Sequence, residues 1–256
     1  MSVGGAPIPR IRIGSLPVDS VSFARALDAI DELVQGKQGG TVFTPNVDHV
    51  VQAEHDPRFR AAYSDVSLSL VDGVPLMWAS RWLKTPLPEK ISGSDLVLPL
   101  MQRAADRGYR VYFLGGAAGA AQLAKQKLLE RMPSLQIVGI DDARIDVNAP
   151  AEVQRPILDR IAAAKPDLLL VALGAPKQEI WSHEQRAHFA GAVVVGVGAS
   201  LDFIAGAVRR APRWMSNAGL EWLYRLLQEP RRLAGRYLLR DPQFFRIVAR
   251  QMRASS

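Results

Sequence analysis

Asp72 and Gly73 directly follow the apolar stretch Val66–Val71 and form the pair with the clearest chemical potential in this sequence. A carboxylate at the carboxyl end of a strand is well placed to act as a general base, and a glycine beside it lets a substrate approach the backbone closely. The same two residues also suit an ordinary turn before a helix. Two interpretations therefore stay open here, proton abstraction and a structural turn.

Two further polar segments stand where a strand pattern gives way to a helix pattern. In Thr44-Pro45-Asn46, the side chain of Asn46 can cap the helix and leave backbone N–H groups of its first turn free for a ligand. Lys177-Gln178-Glu179 opens another helix pattern after a Gly-Ala-Pro turn. Read alone, the first predicts an ordinary N-cap and the second an exposed first turn.

Glycines mark two more places where a strand pattern ends and a helix pattern begins, and we call such a place a corner. Gly115 and Gly116, in a G-G-x-x-G segment, allow a diphosphate to approach a helix N-terminus. The spacing departs from the G-x-G-x-x-G of dinucleotide-binding proteins, yet Asp141-Asp142 ends the next strand, where a ribose-binding acid would lie. Gly198 and Asp202 suit a nucleotide edge, a ribose or a tight turn. A nicotinamide cofactor thus remains an alternative at this point.

Cysteine is absent, which excludes disulfides, thiolate zinc sites, iron–sulfur clusters and cysteine nucleophiles. The four histidines stand in pairs six and five residues apart, and neither H-E-x-x-H nor D-x-D occurs. A G-x-S-x-G nucleophile elbow is also missing. We therefore expect neither a metal site nor a covalent serine mechanism.

Short β-branched runs alternate with helix patterns through the first two hundred residues, as in a parallel sheet covered by helices. The predicted strands are Thr41–Thr44, Val66–Val71, Arg110–Leu114, Gln136–Ile140, Leu168–Leu173 and Val193–Val197. The predicted helices are Val47–Tyr63 with a break at Asp56-Pro57, Ser94–Arg107, Ala118–Met132, Ala151–Ala164 and Lys177–Phe189. The sequence predicts an α/β fold, a Rossmann-like parallel-sheet sandwich.

The charge is unevenly distributed along the chain. Residues 204–256 contain 11 Arg, no Lys and 3 acids, a balance of +8, whereas the other residues sum to −1. After Gly206 the pattern predicts only amphipathic helices, over 217–228, 231–239 and 242–253. We therefore expect a body over residues 1–205 and a helical, arginine-rich C-terminal appendage over 206–256 that needs an anionic partner.

Taken together, these segments are similar to those of one family. The segments that carry the resemblance occur in order at 44–46, 72–73, 92–95, 111–116, 172–179, 196–198, 210–214 and 219–226. From about residue 10 to 250 the chain resembles the WecG/TagA/CpsF family of bacterial glycosyltransferases. P-K-Q-E and R-A-P-x-W…E-W-x-Y-R are the most specific of its motifs.

The resemblance implies an inverting, metal-independent transfer from a UDP-sugar to a polyprenyl-diphosphate-linked saccharide in cell-envelope or exopolysaccharide synthesis. The sugar would be N-acetylmannosamine or another hexose, and neither a cofactor nor a metal would be needed. The protein would be cytoplasmic and peripheral on the inner face of the cell membrane, where its appendage closes over the active site. A homo-oligomer is compatible with the sequence, which shows no heptad pattern.

The resemblance also assigns roles to residues. Asp72 looks like the base that deprotonates the acceptor, and the appendage would supply Arg213, Arg225 and Arg232 to the active site. The substrate-binding candidates are Thr44, Asn46, Gly73, Lys90, Gly115, Gly116, Gln178, Glu179, Gly198 and Asp202. Among these, Thr44, Asn46 and Gln178 would face the sugar, and the glycine corners with Asp202 would receive UDP.

The chain departs from the family pattern at two places. Lys90 stands where many members have arginine, so a charge remains while a bidentate phosphate contact is lost. Ala143-Arg144-Ile145 replaces a Gly-Tyr-Phe segment, so the aromatic residue that could stack on uracil is missing. Arg144 is the candidate substitute for that contact.

Two other functions compete with the glycosyltransferase. A nicotinamide-dependent oxidoreductase would bind NAD(H) rather than UDP, and its broken glycine fingerprint counts against it. A nucleic-acid-binding module would use the basic appendage. In the appendage, however, arginines alternate with apolar residues, and this pattern fits an anionic membrane surface better than nucleic acid. The apolar residues are Phe244, Phe245, Ile247, Val248 and Met252.

Overall fold

The computed structural model describes residues 7–142, 145–212, 214–215 and 220–254. The strands are β1 (Arg10–Ile13), β2 (Leu16–Asp19), β3 (Gly40–Phe43), β4 (Leu68–Ser69), β5 (Arg110–Gly115), β6 (Gln136–Asp141), β7 (Leu168–Ala172) and β8 (Val193–Gly196). The helices of the first two hundred residues are α1 (Phe23–Gly36), α2 (Val47–His55), α3 (Pro57–Ala62), α4 (Val74–Trp82), α5 (Gly93–Arg107), α6 (Ala120–Arg131), α7 (Ala151–Ala164) and α8 (Lys177–Glu184). A 3₁₀ turn (Arg186–Phe189) follows α8. Beyond β8 come α9 (Ser200–Ala205), α10 (Glu221–Gln228), α11 (Pro230–Ala234), a π-helical segment (Gly235–Arg240) and α12 (Gln243–Ala254).

Six strands form one parallel sheet in the order β4-β3-β8-β7-β5-β6, and β1 and β2 form a separate antiparallel hairpin. The central strands β7 and β8 are buried along their whole length. Helices α1, α5 and α6 pack in one core cluster, and α7 packs with Trp181 of α8 in another. Both faces of the sheet are therefore covered, and the predicted α/β parallel-sheet sandwich is confirmed.

Local sequence signals explain where several elements begin and end. Asp56 caps α3 by accepting from the backbone N–H groups of Arg58 and Phe59, so the predicted break at Asp56-Pro57 is confirmed. Val66–Val71, predicted as a six-residue strand, is shorter in the structure, because only Leu68 and Ser69 pair as β4 at the edge of the sheet. The sequence analysis did not predict the β1–β2 hairpin, α1 or α4.

The helix α12 packs onto the hairpin and α2 rather than standing apart. Phe244, Ile247 and Val248 are buried in the core cluster that contains β1, β2 and α2. The expectation that these three residues face a membrane is therefore wrong, because the body already covers them. Phe245 and Met252 remain exposed on the same helix. In the described part of the chain, no helix is both long and apolar enough to span a bilayer.

Candidate active site

The carboxyl ends of the parallel strands meet along one edge of the sheet, where open α/β sheets bind ligands. A cleft of about 460 Å³ lies there, and we call it the polar cleft. Residues after β3, β4, β5, β7 and β8 line it together with residues beyond 220, among them Thr44, Asn46, His49, Asp72, Gly116, Gly174, Gln178, Gly198, Asp202, Glu221, Arg225 and Arg236. Five corners that are distant in sequence thus converge on one cavity.

Asp72 is held where two of these corners meet. Its backbone N–H donates to the carbonyl of Pro45 (2.9 Å), which fixes it beside the Thr44–Asn46 corner. Gly73 follows with φ +104°, a conformation that favours glycine, and begins α4. Burial, and then the negative charge of Glu221, raise the pKa of the Asp72 carboxyl to about 6. A carboxylate with this pKa is ionised at neutral pH and basic enough to accept a proton from a substrate.

The glycine corner after β5 is tied to the corner after β8. Gly116 has φ +94°, and the next residue, Ala117, donates its backbone N–H to Asp202 Oδ1 at 2.8 Å. Gly115 is buried, and a Cβ atom there would lie only 2.8 Å from the carbonyl oxygen of Ala172. Gly115 therefore allows β5 to pack against the end of β7, while Gly116 and Asp202 reach the cleft.

Asn46 and Gln178 have well-defined orientations. Asn46 Oδ1 accepts from the backbone N–H groups of Asp48 (3.0 Å) and His49 (3.4 Å), which makes Asn46 the N-cap of α2. Gln178 Oε1 accepts from the backbone N–H of Gly198 (3.0 Å), and its Nε2 donates to Glu179 Oε1 (2.7 Å). The corners after β7 and β8 are joined through this one amide.

A second cleft of similar volume also has Asp72 in its lining, and we call it the aromatic cleft. Helix α4, the segment 220–225, and residues from Arg236 to Phe245 form its walls. The lining includes four aromatic side chains and three cationic ones: Trp78, Trp222, Tyr237 and Phe245, and Lys90, Arg225 and Arg236. Asp72 and Arg225 line both clefts.

Comparison with known proteins agrees with this geometry. The family model of the glycosyl transferase WecG/TagA/CpsF family matches residues 11–256. The chain belongs to this family. A protein of Bacillus spizizenii named N-acetylglucosaminyldiphosphoundecaprenol N-acetyl-beta-D-mannosaminyltransferase is 34% identical over 219 residues, which cover 86% of this chain and 82% of the relative. The resemblance drawn from the sequence motifs is thus confirmed.

In this glycosyltransferase most of the predicted site residues come together. Those that line the polar cleft are Thr44, Asn46, Asp72, Gly116, Gln178, Gly198, Asp202 and Arg225. Gly73 and Lys90 line the aromatic cleft. Gly115 and Glu179 lie behind the wall and line neither cleft. Arg213, Arg144 and the side chain of Arg232 fall outside the described residues.

The exposed first turn predicted for α8 is wrong in part. Lys177 is exposed, but Gln178 and Glu179 are both buried, because α8 packs against β3, β7 and β8. Gln178 therefore lines the site and Glu179 is buried beneath it, and neither belongs to a solvated surface.

The geometry also bears on the nicotinamide alternative. Of the two acids expected near a ribose, Asp142 accepts from the backbone N–H of Gly119 (3.3 Å). Asp141 accepts a hydrogen bond from Tyr112 Oη (2.6 Å) and a bidentate pair from Arg160 (2.7 and 3.1 Å). Its carboxylate is thus already engaged at the far edge of the sheet. Within the described residues, no group of three or more His, Asp or Glu side chains is arranged to hold a metal ion.

Arg236 is the functional candidate that the sequence analysis missed. Its guanidinium donates to Asn46 Oδ1 (3.2 Å) and lies 3.3 Å from Asp48 Oδ2, and it lines both clefts. Arg240, four residues later, also pairs with Asp48, at 2.7 Å. The spacing of these arginines on one helical face is visible in the sequence. Their shared anchor is not, because it depends on how the π-helical segment packs on α2.

Proposed function

We propose that this chain transfers a hexose, N-acetylmannosamine in the first instance, from a UDP-sugar to a polyprenyl-diphosphate-linked N-acetylglucosamine. The observation that carries the proposal is Asp72, a carboxylate of raised pKa at the junction of the polar and aromatic clefts. The name of the Bacillus relative, an N-acetylmannosaminyltransferase, supports the choice of sugar and acceptor.

The proposed reaction is a single displacement at the anomeric carbon. Asp72 accepts the proton of an acceptor hydroxyl, whose oxygen forms the new bond to the anomeric carbon. The bond from that carbon to the diphosphate breaks, and its electron pair leaves with UDP. Attack opposite the leaving group inverts the anomeric configuration. Arg225 and Arg236 are the cations that both clefts share, and they support a mechanism in which arginines rather than a metal stabilise the departing diphosphate.

We assign the UDP-sugar to the polar cleft. Its volume is within the usual range for small-molecule sites. Gly116 lines this cleft with φ +94° and no side chain, which leaves room for a diphosphate beside the backbone after β5. Thr44, Asn46 and Gln178 line the same cleft from the corners after β3 and β7, where hydroxyl and amide groups suit a sugar.

We assign the lipid-linked acceptor to the aromatic cleft. Its three cations suit the acceptor's diphosphate, and its aromatic walls suit the first prenyl units. Near it, Trp78 and Trp82 on α4 are 43% and 45% exposed, and the ring of Trp82 lies 6.4 Å from that of Phe245. Exposed tryptophans are typical of membrane–water interfaces. We infer that this aromatic surface docks on the inner face of the cell membrane, from which the acceptor enters.

Replacement of the proposed base tests the function. Asp72→Asn should lower turnover of UDP-N-acetylmannosamine with a lipid-diphosphate acceptor by roughly 10²–10⁴-fold, because general-base assistance is lost. The measurements are product formation, and UDP affinity by calorimetry, which should persist. Asp159→Asn, at an exposed carboxylate on α7, is the matched control. Near wild-type turnover of Asp72→Asn would remove Asp72 from this role, and full loss of wild-type activity in EDTA would refute metal independence.

A further inference from the structure

Glu179 is a carboxylate with no solvent exposure, directly behind the wall of the polar cleft. Its Oε1 accepts from Gln178 Nε2 at 2.7 Å and lies 3.2 Å from His49 Nε2. A buried carboxylate is costly unless it is paired and hydrogen-bonded, so such a residue needs a specific explanation. The two partners of Glu179 both line the cleft, whereas Glu179 itself does not.

His49 lies between the cap of α2 and the buried carboxylate. Its Nδ1 is 2.8 Å from Asn46 Oδ1 and 3.4 Å from the backbone nitrogen of Asn46, a contact that completes the capping box of α2. On the other side of the ring, Nε2 is 3.2 Å from Glu179 Oε1. The ring of His49 therefore connects Asn46 to Glu179.

Gln178 is oriented by the same carboxylate. The backbone N–H of Gly198 requires an acceptor and receives Oε1, so Nε2 must face Glu179. One chain of hydrogen bonds thus runs from Asn46 through His49, Glu179 and Gln178 to Gly198, across the ends of β3, β7 and β8. The rings of Phe59 and Tyr63 lie 5.6 and 6.5 Å from that of His49, which places it against an aromatic core.

We infer that Glu179 and His49 form a positioning pair that fixes the amides of Asn46 and Gln178 toward the sugar part of the donor. The inference rests on the proposed function for the identity of that donor. Glu179 does not line the cleft, whereas His49 does. The pair holds Asn46 and Gln178 in place through its hydrogen bonds, so its loss should affect the sugar and leave the nucleotide contacts at the glycine corner in place.

The test compares two ligands that differ only by the sugar. In Glu179→Gln, the affinity for UDP-N-acetylmannosamine should fall about tenfold or more, and kcat should fall with it. The affinity for UDP alone should change less than about twofold, since a tenfold effect corresponds to the loss of roughly one hydrogen bond. Equal loss of both affinities would overturn the inference, because a general defect in folding weakens the whole site.

Gln154→Ala is the matched control, because Gln154 accepts a buried hydrogen bond from Trp181 of the same helix α8 at 2.9 Å. It should lower stability without separating the two affinities. His49→Gln should reproduce the effect of Glu179→Gln, and the double variant should lose less than the sum of both changes. Fully additive losses would contradict a coupled pair.

A measurement without ligand keeps the inference independent of the donor. The ¹⁵N shifts of the His49 ring should change in Glu179→Gln relative to the wild type and stay unchanged in Gln154→Ala. Unchanged ring shifts in Glu179→Gln would refute the pair. Failure of the wild type to bind any UDP-sugar would instead refute the proposed function, while the ring shifts still decide the pair.

Discussion

The polar and aromatic clefts have similar volumes and share Asp72, yet they are built from different parts of the chain. The polar cleft is formed mostly by strand ends, glycine corners and side chains locked by hydrogen bonds. The aromatic cleft is formed by α4 and by the segments after residue 220. One half of the site is therefore fixed by the sheet, and the other half depends on long-range packing of helices against it. The difference matches a rigid, polar donor and a lipid-linked acceptor.

The largest effect outside Asp72 should come from Arg236, one of the two cations that line both clefts. Arg236→Ala should lower kcat by roughly 10²–10³-fold, because it removes charge stabilisation of the departing diphosphate. Steady-state kinetics with both substrates measures it. Arg240→Ala is the control, because Arg240 pairs with the same Asp48 but lines neither cleft. If both variants lose activity equally, anchoring of the π-helical segment matters rather than the charge of Arg236.

A change in the aromatic wall should separate the two clefts. Trp78→Ala should raise the KM for a short-chain acceptor in detergent by about tenfold and leave UDP affinity unchanged, since an aromatic side chain of the acceptor site is lost. Trp82→Ala should weaken sedimentation with anionic vesicles but not the KM in detergent, because Trp82 is exposed outside the cleft lining. Reduced UDP affinity in Trp78→Ala would break the separation.

The smallest effect concerns pH. Because the pKa of Asp72 is raised to about 6, its ionised fraction rises from about one-tenth at pH 5 to about nine-tenths at pH 7. The kcat/KM should therefore increase by roughly tenfold over that range. Burial also raises the pKa of Asp241 to about 6. Asp241→Asn should keep the inflection and Asp72→Asn should abolish it, and the opposite outcome would assign the titration to Asp241.

These two clefts also differ in how much of them the sequence predicts. The corners of the polar cleft follow strand patterns, so Thr44, Asn46, Asp72 and Gly198 are visible as polar or glycine residues at strand ends. The position N3 of His49 relative to the cap Asn46 is also a local signal, although its contact with Glu179 is not. Local patterns suffice where the backbone itself builds the site.

The aromatic cleft is less predictable because its walls meet through tertiary contacts. The helix α4 follows Gly73, a glycine of positive φ. It carries Trp78, which lines the cleft, and Trp82, which is exposed, and the helical periodicity of the sequence does not distinguish these two roles. The apolar residues of α12 fit either a core or a membrane until the packing on α2 is known. The missed hairpin also has distant contacts, because Arg10 donates to the carbonyl of Ser67 and Asp19 accepts from the N–H of Ser69.

The contact between α12 and the hairpin has a consequence for biosynthesis. Gln251 donates to the carbonyl of Arg12 at 2.9 Å and accepts from the N–H of Gly14 at 2.8 Å, across 239 and 237 positions of sequence. The hairpin therefore leaves the ribosome long before its packing partner exists. Its core face must wait for α12, which is made only after the arginines of the π-helical segment. When this core is complete, the parts of the active site contributed by residues 220–240 have therefore already been synthesised.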